Sequence, residues 1–71
     1  MNFSDALKAL EEYHRVSRSN WNDPNQWVAL QVPDTNSKMT LPYIYISTTD
    51  GKLVPWLASK TDLLSDDWRI V

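Results

Sequence analysis

The sequence predicts an α+β fold: an N-terminal helix packed on a small, mainly antiparallel sheet, with a central β-hairpin and a short C-terminal helix. Three observations carry this expectation. The opening residues hold an apolar stripe at helical spacing, Phe3, Ala6, Leu7 and Leu10. Residues 41–62 read as a hairpin folded at Asp50-Gly51, a pair suited to a two-residue type I′ turn because both residues tolerate positive φ. Short β-branched and aromatic runs, separated by polar turn clusters, complete the order α-β-β-β-β-α-β.

The helix is expected over residues 1–13, with Asn2 as N-cap and Asp5 as the acid of a capping box, well placed against the helix dipole. Residues 14–18 alternate polar and apolar and predict a short strand. Residues 19–26 are a turn cluster of Asn, Asp, Ser and Pro with Trp21 inside it. That indole has two readings: it folds back onto the core, or it lines a pocket. Residues 27–33 form the next strand, with Val28, Leu30 and Val32 on one face, and residues 34–40 are a polar loop bracketed by Pro33 and Pro42. In the hairpin, a two-residue loop pairs Thr49 with Lys52, Ile46 with Pro55, Tyr45 with Trp56 and Ile44 with Leu57. Alternation then puts Ile44, Ile46, Leu53, Pro55 and Leu57 on a core face, and Tyr43, Tyr45, Ser47, Val54 and Trp56 on an aromatic wall. Ser59 caps a short helix from Lys60, with Asp62 as its capping-box acid and Leu63 and Leu64 packing inward. Residues 68–71 close the domain as a last strand.

The 71 residues suffice for one domain, 1–71, with a limited core. There is no cysteine and one histidine, so neither disulfides nor a Cys/His zinc site staples it. Oligomerisation is the remaining way to add buried area, and eight aromatics, four of them Trp, supply the surface. The net charge is −2 and the seven basic residues are scattered, which argues against a nucleic-acid polymer as partner. No apolar run reaches membrane-spanning length and no signal peptide is evident.

No catalytic constellation stands out, so no enzyme activity and no cofactor are expected. The single Gly excludes a phosphate-binding glycine loop, His14 has no evident triad partners, and adjacent Asp66 and Asp67 read as a solvated pair rather than a metal site. What does stand out is Trp21, Tyr43, Tyr45 and Trp56 together with Asn22, Ser59 and Thr61. Flat faces with a few hydroxyls and amides suit a nucleobase or ribose, and the start of the short helix at residues 59–62 offers N–H groups to a phosphate. The same aromatics equally suit a subunit interface.

The opening Met1-Asn2-Phe3-Ser4-Asp5-Ala6-Leu7, the pair Trp21-Asn22, the run Leu41-Pro42-Tyr43-Ile44, and above all residues 50–68 with Asp50-Gly51, Val54-Pro55-Trp56, Ser59, Thr61-Asp62-Leu63-Leu64 and Asp67-Trp68 resemble a family of short phage proteins. These are the Thoeris anti-defence sponges of the second type, and the resemblance covers nearly the whole chain. It implies a non-enzymatic protein of the host bacterial cytoplasm that sequesters a cyclic ADP-ribose-type immune signal intact. It also implies cyclic oligonucleotides as a further ligand class, and a homo-oligomer, a tetramer, with ligand between subunits. The ligand-binding positions it implies are Trp21, Asn22, Trp56, Ser59, Thr61 and Asp62, to which the aromatic wall adds Tyr43. The alternative expectation is a protein-interaction module that inhibits a host defence protein directly. The sequence departs from the family at Asn20 and Asp23, where glycines often flank the Trp-Asn pair, and at Glu11-Glu12-Tyr13-His14-Arg15, where the turn is usually basic. Several relatives also carry a longer insertion at residues 34–40.

Overall fold

A computed structural model describes residues 1–71. Its elements are α1 (Phe3–Glu11), β1 (Val16–Arg18), β2 (Trp27–Gln31), β3 (Tyr43–Ser47), β4 (Leu53–Pro55), α2 (Lys60–Leu64) and β5 (Trp68–Ile70). The five strands form one antiparallel sheet in the order β4-β3-β2-β1-β5. Strands β2 to β4 are a meander, and β5 returns to pair with β1 at the far edge. The α+β expectation and the element order hold.

Helix α1 starts where Asn2 Oδ1 accepts the Asp5 amide at 2.9 Å. It ends at Glu11, two residues before the expected end at residue 13. The Tyr13 amide donates to the Leu10 carbonyl at 2.9 Å and the His14 amide to the Ala9 carbonyl at 3.0 Å, the two bonds of a Schellman motif. The motif places Tyr13 at φ 68, a left-handed position normally taken by glycine. The helix lies on one sheet face through Ala6, Ala9 and Leu10, which join Val16, Val28 and Trp68 as the buried core. Leu7, expected in that stripe, is exposed. The small side chains of Ala6 and Ala9 let the helix sit close to the strands, so its buried face centres on Ala6, Ala9 and Leu10.

The hairpin has its turn at Asp50-Gly51, but its register differs from expectation by one residue. Tyr45 pairs with Pro55, Ile46 with Val54 and Ser47 with Leu53. The Gly51 amide donates to the Thr48 carbonyl at 2.9 Å, the Thr48 amide to the Lys52 carbonyl at 2.8 Å, and Gly51 has φ 80. This is a three-residue loop closed by a left-handed glycine rather than a two-residue one. Thr48 Oγ1 stabilises it by bonding the Asp50 carboxylate and accepting from the Lys52 amide at 3.1 Å. A one-residue shift flips every side chain of β4. Val54 and Trp56 therefore turn toward the helix side with Ile44 and Ile46, while Leu53, Pro55 and Leu57 leave the core face, Leu57 being 93% exposed. The physical reason is size: this register packs the largest side chain of the hairpin against the core and leaves a leucine outside. Strand β2 also stops at Gln31, so Val32 is exposed rather than part of the core face.

Helix α2 has the expected capping box: Ser59 Oγ accepts the Asp62 amide at 3.1 Å and Asp62 Oδ2 accepts the Ser59 amide at 3.4 Å. It buries no residue, and Leu63 and Leu64 face solvent. Polar ties hold it in place of an apolar stripe. No helix is long and apolar enough to cross a membrane.

Candidate functional site

Trp68 is the hub. It is 2% exposed, and its ring meets Trp21 at 5.3 Å, Phe3 at 5.4 Å and Trp56 at 5.9 Å between centroids, each edge-on. Its Nε1 donates to the Asp62 carbonyl at 2.9 Å, and its amide to the Met1 carbonyl at 3.1 Å. Trp21 and Trp56 pack against this core while remaining partly exposed. Both readings of Trp21 are thus physically compatible, because the ring leans on Trp68 and still presents an accessible part. Trp56 is not on an outer aromatic wall with Tyr43 and Tyr45; the hairpin register moves it to the helix side.

Beside the tryptophans sits a partly buried ion cluster. Alternation along β1 puts Arg18 on the same side as Val16, and the residue is 8% exposed. Its Nε donates to Asp67 Oδ1 at 2.9 Å, its Nη1 to Asp62 Oδ1 at 2.9 Å, and its Nη2 to Asp67 Oδ2 at 3.5 Å. Asp67 in turn gathers the loop that carries Trp21. Its Oδ2 accepts the Asn20 amide at 3.1 Å, and its carbonyl accepts the Ser19 amide at 2.9 Å and the Ser19 hydroxyl at 3.1 Å. The Trp21 amide donates to the Arg18 carbonyl at 2.9 Å. The Arg18 guanidinium holds the Asp67 carboxyl below the usual carboxylate range, with the Asn20 amide acting in the same direction against the cost of burial.

Six of the expected ligand positions therefore map to one end of the molecule. Trp21 and Asn22 lie in the loop gathered by Asp67, Trp56 packs on Trp68, and Ser59, Thr61 and Asp62 begin α2. Asn22, Ser59 and Thr61 are exposed at this rim. The α2 start does not offer a free phosphate cradle. The capping box occupies the Ser59 and Asp62 amides, and the Asp62 carboxylate, shared between Arg18 and Ser59, adds negative charge there. No group of three or more His, Asp or Glu is gathered that would hold a metal ion.

Tyr43 is separate. Ile44 packs against the core, so its neighbours Tyr43 and Tyr45 point to the other, uncovered face of the sheet. There they line a groove of about 560 Å³ with Gln31, Met39, Leu41 and Pro55, and no charged residue lines it. Tyr45 also meets Trp27 edge-on at 5.9 Å, and the Arg15 guanidinium lies 4.2 Å over the Trp27 ring. The sequence reading missed Arg18, although its signal was present: an arginine two residues after Val16 in a strand demands carboxylate partners, and Asp62 and Asp67 were at hand. It missed Gln31 and Met39 because nothing local in the sequence brings Met39 to the groove beside Tyr43 and Tyr45.

Fold and site together define a two-layer α+β protein, helix α1 packed on an open five-stranded sheet, with an aromatic rim clasped by a partly buried ion cluster at one end. The chain belongs to the Thoeris anti-defense 2-like family, whose model matches residues 1–71. It is similar to Thoeris anti-defense 2 of Bacillus phage SP01, at 33% identity over 84 residues covering 100% of this chain and 94% of that protein. Family membership supports a phage anti-defence role.

Proposed function

We propose that this protein is a phage anti-defence sponge that binds a cyclic ADP-ribose-type signalling nucleotide and holds it uncleaved in the host bacterial cytoplasm, so that the Thoeris effector is not activated. The observation that supports this most directly is the rim formed by Trp21 and Trp56 around Trp68, with Asn22, Ser59 and Thr61 exposed beside it. Flat rings with adjacent amide and hydroxyl groups bind base and ribose by stacking and hydrogen bonding. Binding without chemistry needs no base or nucleophile, and two carboxylates beside the tryptophans, Asp62 and Asp67, are engaged by Arg18. Cyclic oligonucleotides are a second ligand class in this reading, and Tyr43 in its uncharged groove belongs to it as a separate stacking surface.

The working form in this proposal is a homo-oligomer, a tetramer. A compact monomer of this length exposes roughly 4,600 Å², whereas this chain exposes 5120 Å² and buries only ten residues. Native mass spectrometry with a panel of cyclic ADP-ribose isomers tests both points: the expected result is an oligomer that gains one or more nucleotide masses. Intact ligand recovered after heat denaturation separates a sponge from a hydrolase. A second reading, direct inhibition of a host defence protein, is favoured by the exposed apolar side chains on and beside β4, Leu53, Val54 and Leu57. An oligomer that takes up neither a cyclic ADP-ribose isomer nor a cyclic oligonucleotide favours it.

A further inference from the structure

We propose that Arg18 is a positioning residue of this site, a guanidinium fork that holds the Trp21–Asn22 loop and the start of α2 in the spacing a nucleotide requires. The proposal rests on the sponge reading. Its basis is the distribution of contacts. One arm of the fork holds Asp67, which carries the loop through the Asn20 and Ser19 amides. The other holds Asp62, which carries the first turn of α2 through its capping box. Helix α2 buries no side chain, so little apolar packing fixes it. Besides this fork, the Trp68 indole donates to the Asp62 carbonyl, and α2 lies beside α1.

A partly buried Arg–carboxylate cluster contributes little net stability compared with apolar side chains of similar volume, because desolvation offsets the attraction. What it supplies is geometry: a planar fork fixes two carboxylates at once, which a single ammonium does not. The Arg18 backbone meets the rim only where its carbonyl accepts the Trp21 amide; its guanidinium acts through Asp62 and Asp67. Loss of the fork then frees the two walls of the site relative to each other, while the packing of Ala6, Leu10, Val16, Val28 and Trp68 persists.

The test compares wild type with Arg18→Lys, which keeps the charge but not the fork, and with Arg18→Met/Asp67→Asn, which removes one charge of each sign and keeps an acceptor for the Asn20 amide. Titration calorimetry uses a panel of cyclic ADP-ribose isomers, and hydrogen exchange follows the Asn20 and Trp21 amides and the Trp68 indole. The expected result is that the variants remain folded and assembled, lose about tenfold or more in affinity, and exchange faster at those three protons, with Arg18→Lys the less affected. Folded variants with wild-type affinity and wild-type exchange overturn the proposal. Should Arg18→Lys fail to fold, the double variant carries the test. A wild-type protein that binds no isomer overturns the sponge reading, and with it the ligand role of Arg18, while exchange still decides whether the clasp exists.

Discussion

Trp21, Trp56 and Trp68 differ in what their removal should do. Trp68→Ala should cost about 3–5 kcal/mol of stability, as for a large buried aromatic, because its ring touches three others at the centre of the core. Trp21→Ala should leave the fold standing and cost roughly 1–3 kcal/mol of nucleotide binding, ten- to hundred-fold in affinity. Trp56→Ala should do both, since its ring packs on Phe3 and Trp68. Thermal melts beside calorimetry separate the three, and variants that fall apart into monomers identify the rings as interface anchors instead. Asp67 sets an acid limit. Its folded-state carboxyl titrates below the ordinary value of 3.8, so its contribution is fully present above that value and is lost as pH falls through the lower folded value. The clasp should hold at neutral pH, and Asp67→Asn should weaken the dependence of stability on pH below about 4.

At the level of elements, the hairpin and the end of α1 both turn on left-handed residues. A Cβ at Gly51 meets no atom within 4 Å, so substitution there carries only the cost of its φ of 80. Gly51→Val should destabilise by about 1 kcal/mol or more in denaturant titrations. Tyr13 is the converse, a non-glycine residue at φ 68 that is 73% exposed. Tyr13→Gly should stabilise by up to about 1 kcal/mol by relieving the left-handed strain. The turn itself was legible from Asp50-Gly51, as were the cap at Asn2 and the capping box of Ser59 and Asp62. The faces of β4 were not, because two- and three-residue loops share the Asp-Gly signal and differ by one position that inverts the strand. What decides between them is tertiary: the place where Trp56 packs. Trp21, Asn22, Ser59 and Thr61 stood out by residue type, but the resemblance alone added Asp62, and nothing local showed what brings them together. The Arg18 fork that joins them spans 44 residues to Asp62 and 49 to Asp67.

For the whole molecule, light scattering at micromolar concentration should give an oligomeric mass, a tetramer on the reading above, and a monomer would remove the case for self-association. The open sheet face carries Tyr43 and Tyr45 as the expected aromatic wall does, but Trp56 and Val54 leave that wall and Gln31 and Met39 complete its groove. The strand order has a further consequence, for the sequence of events in folding. Strands β2, β3 and β4 are neighbours in sequence and in space, so their meander closes over local connections, residues 32–42 and 48–52. The core centre does not form that way, because Trp68 lies on β5 and β5 pairs only with β1, Arg18 opposite Trp68. Joining those strands closes a loop of most of the chain, an entropically late step. The hydrophobic centre and the aromatic rim should therefore appear together, after the meander. A chain still missing β5 should hold a hairpin and an exposed helix face but neither core nor site, and so should not bind ligand before it is fully folded.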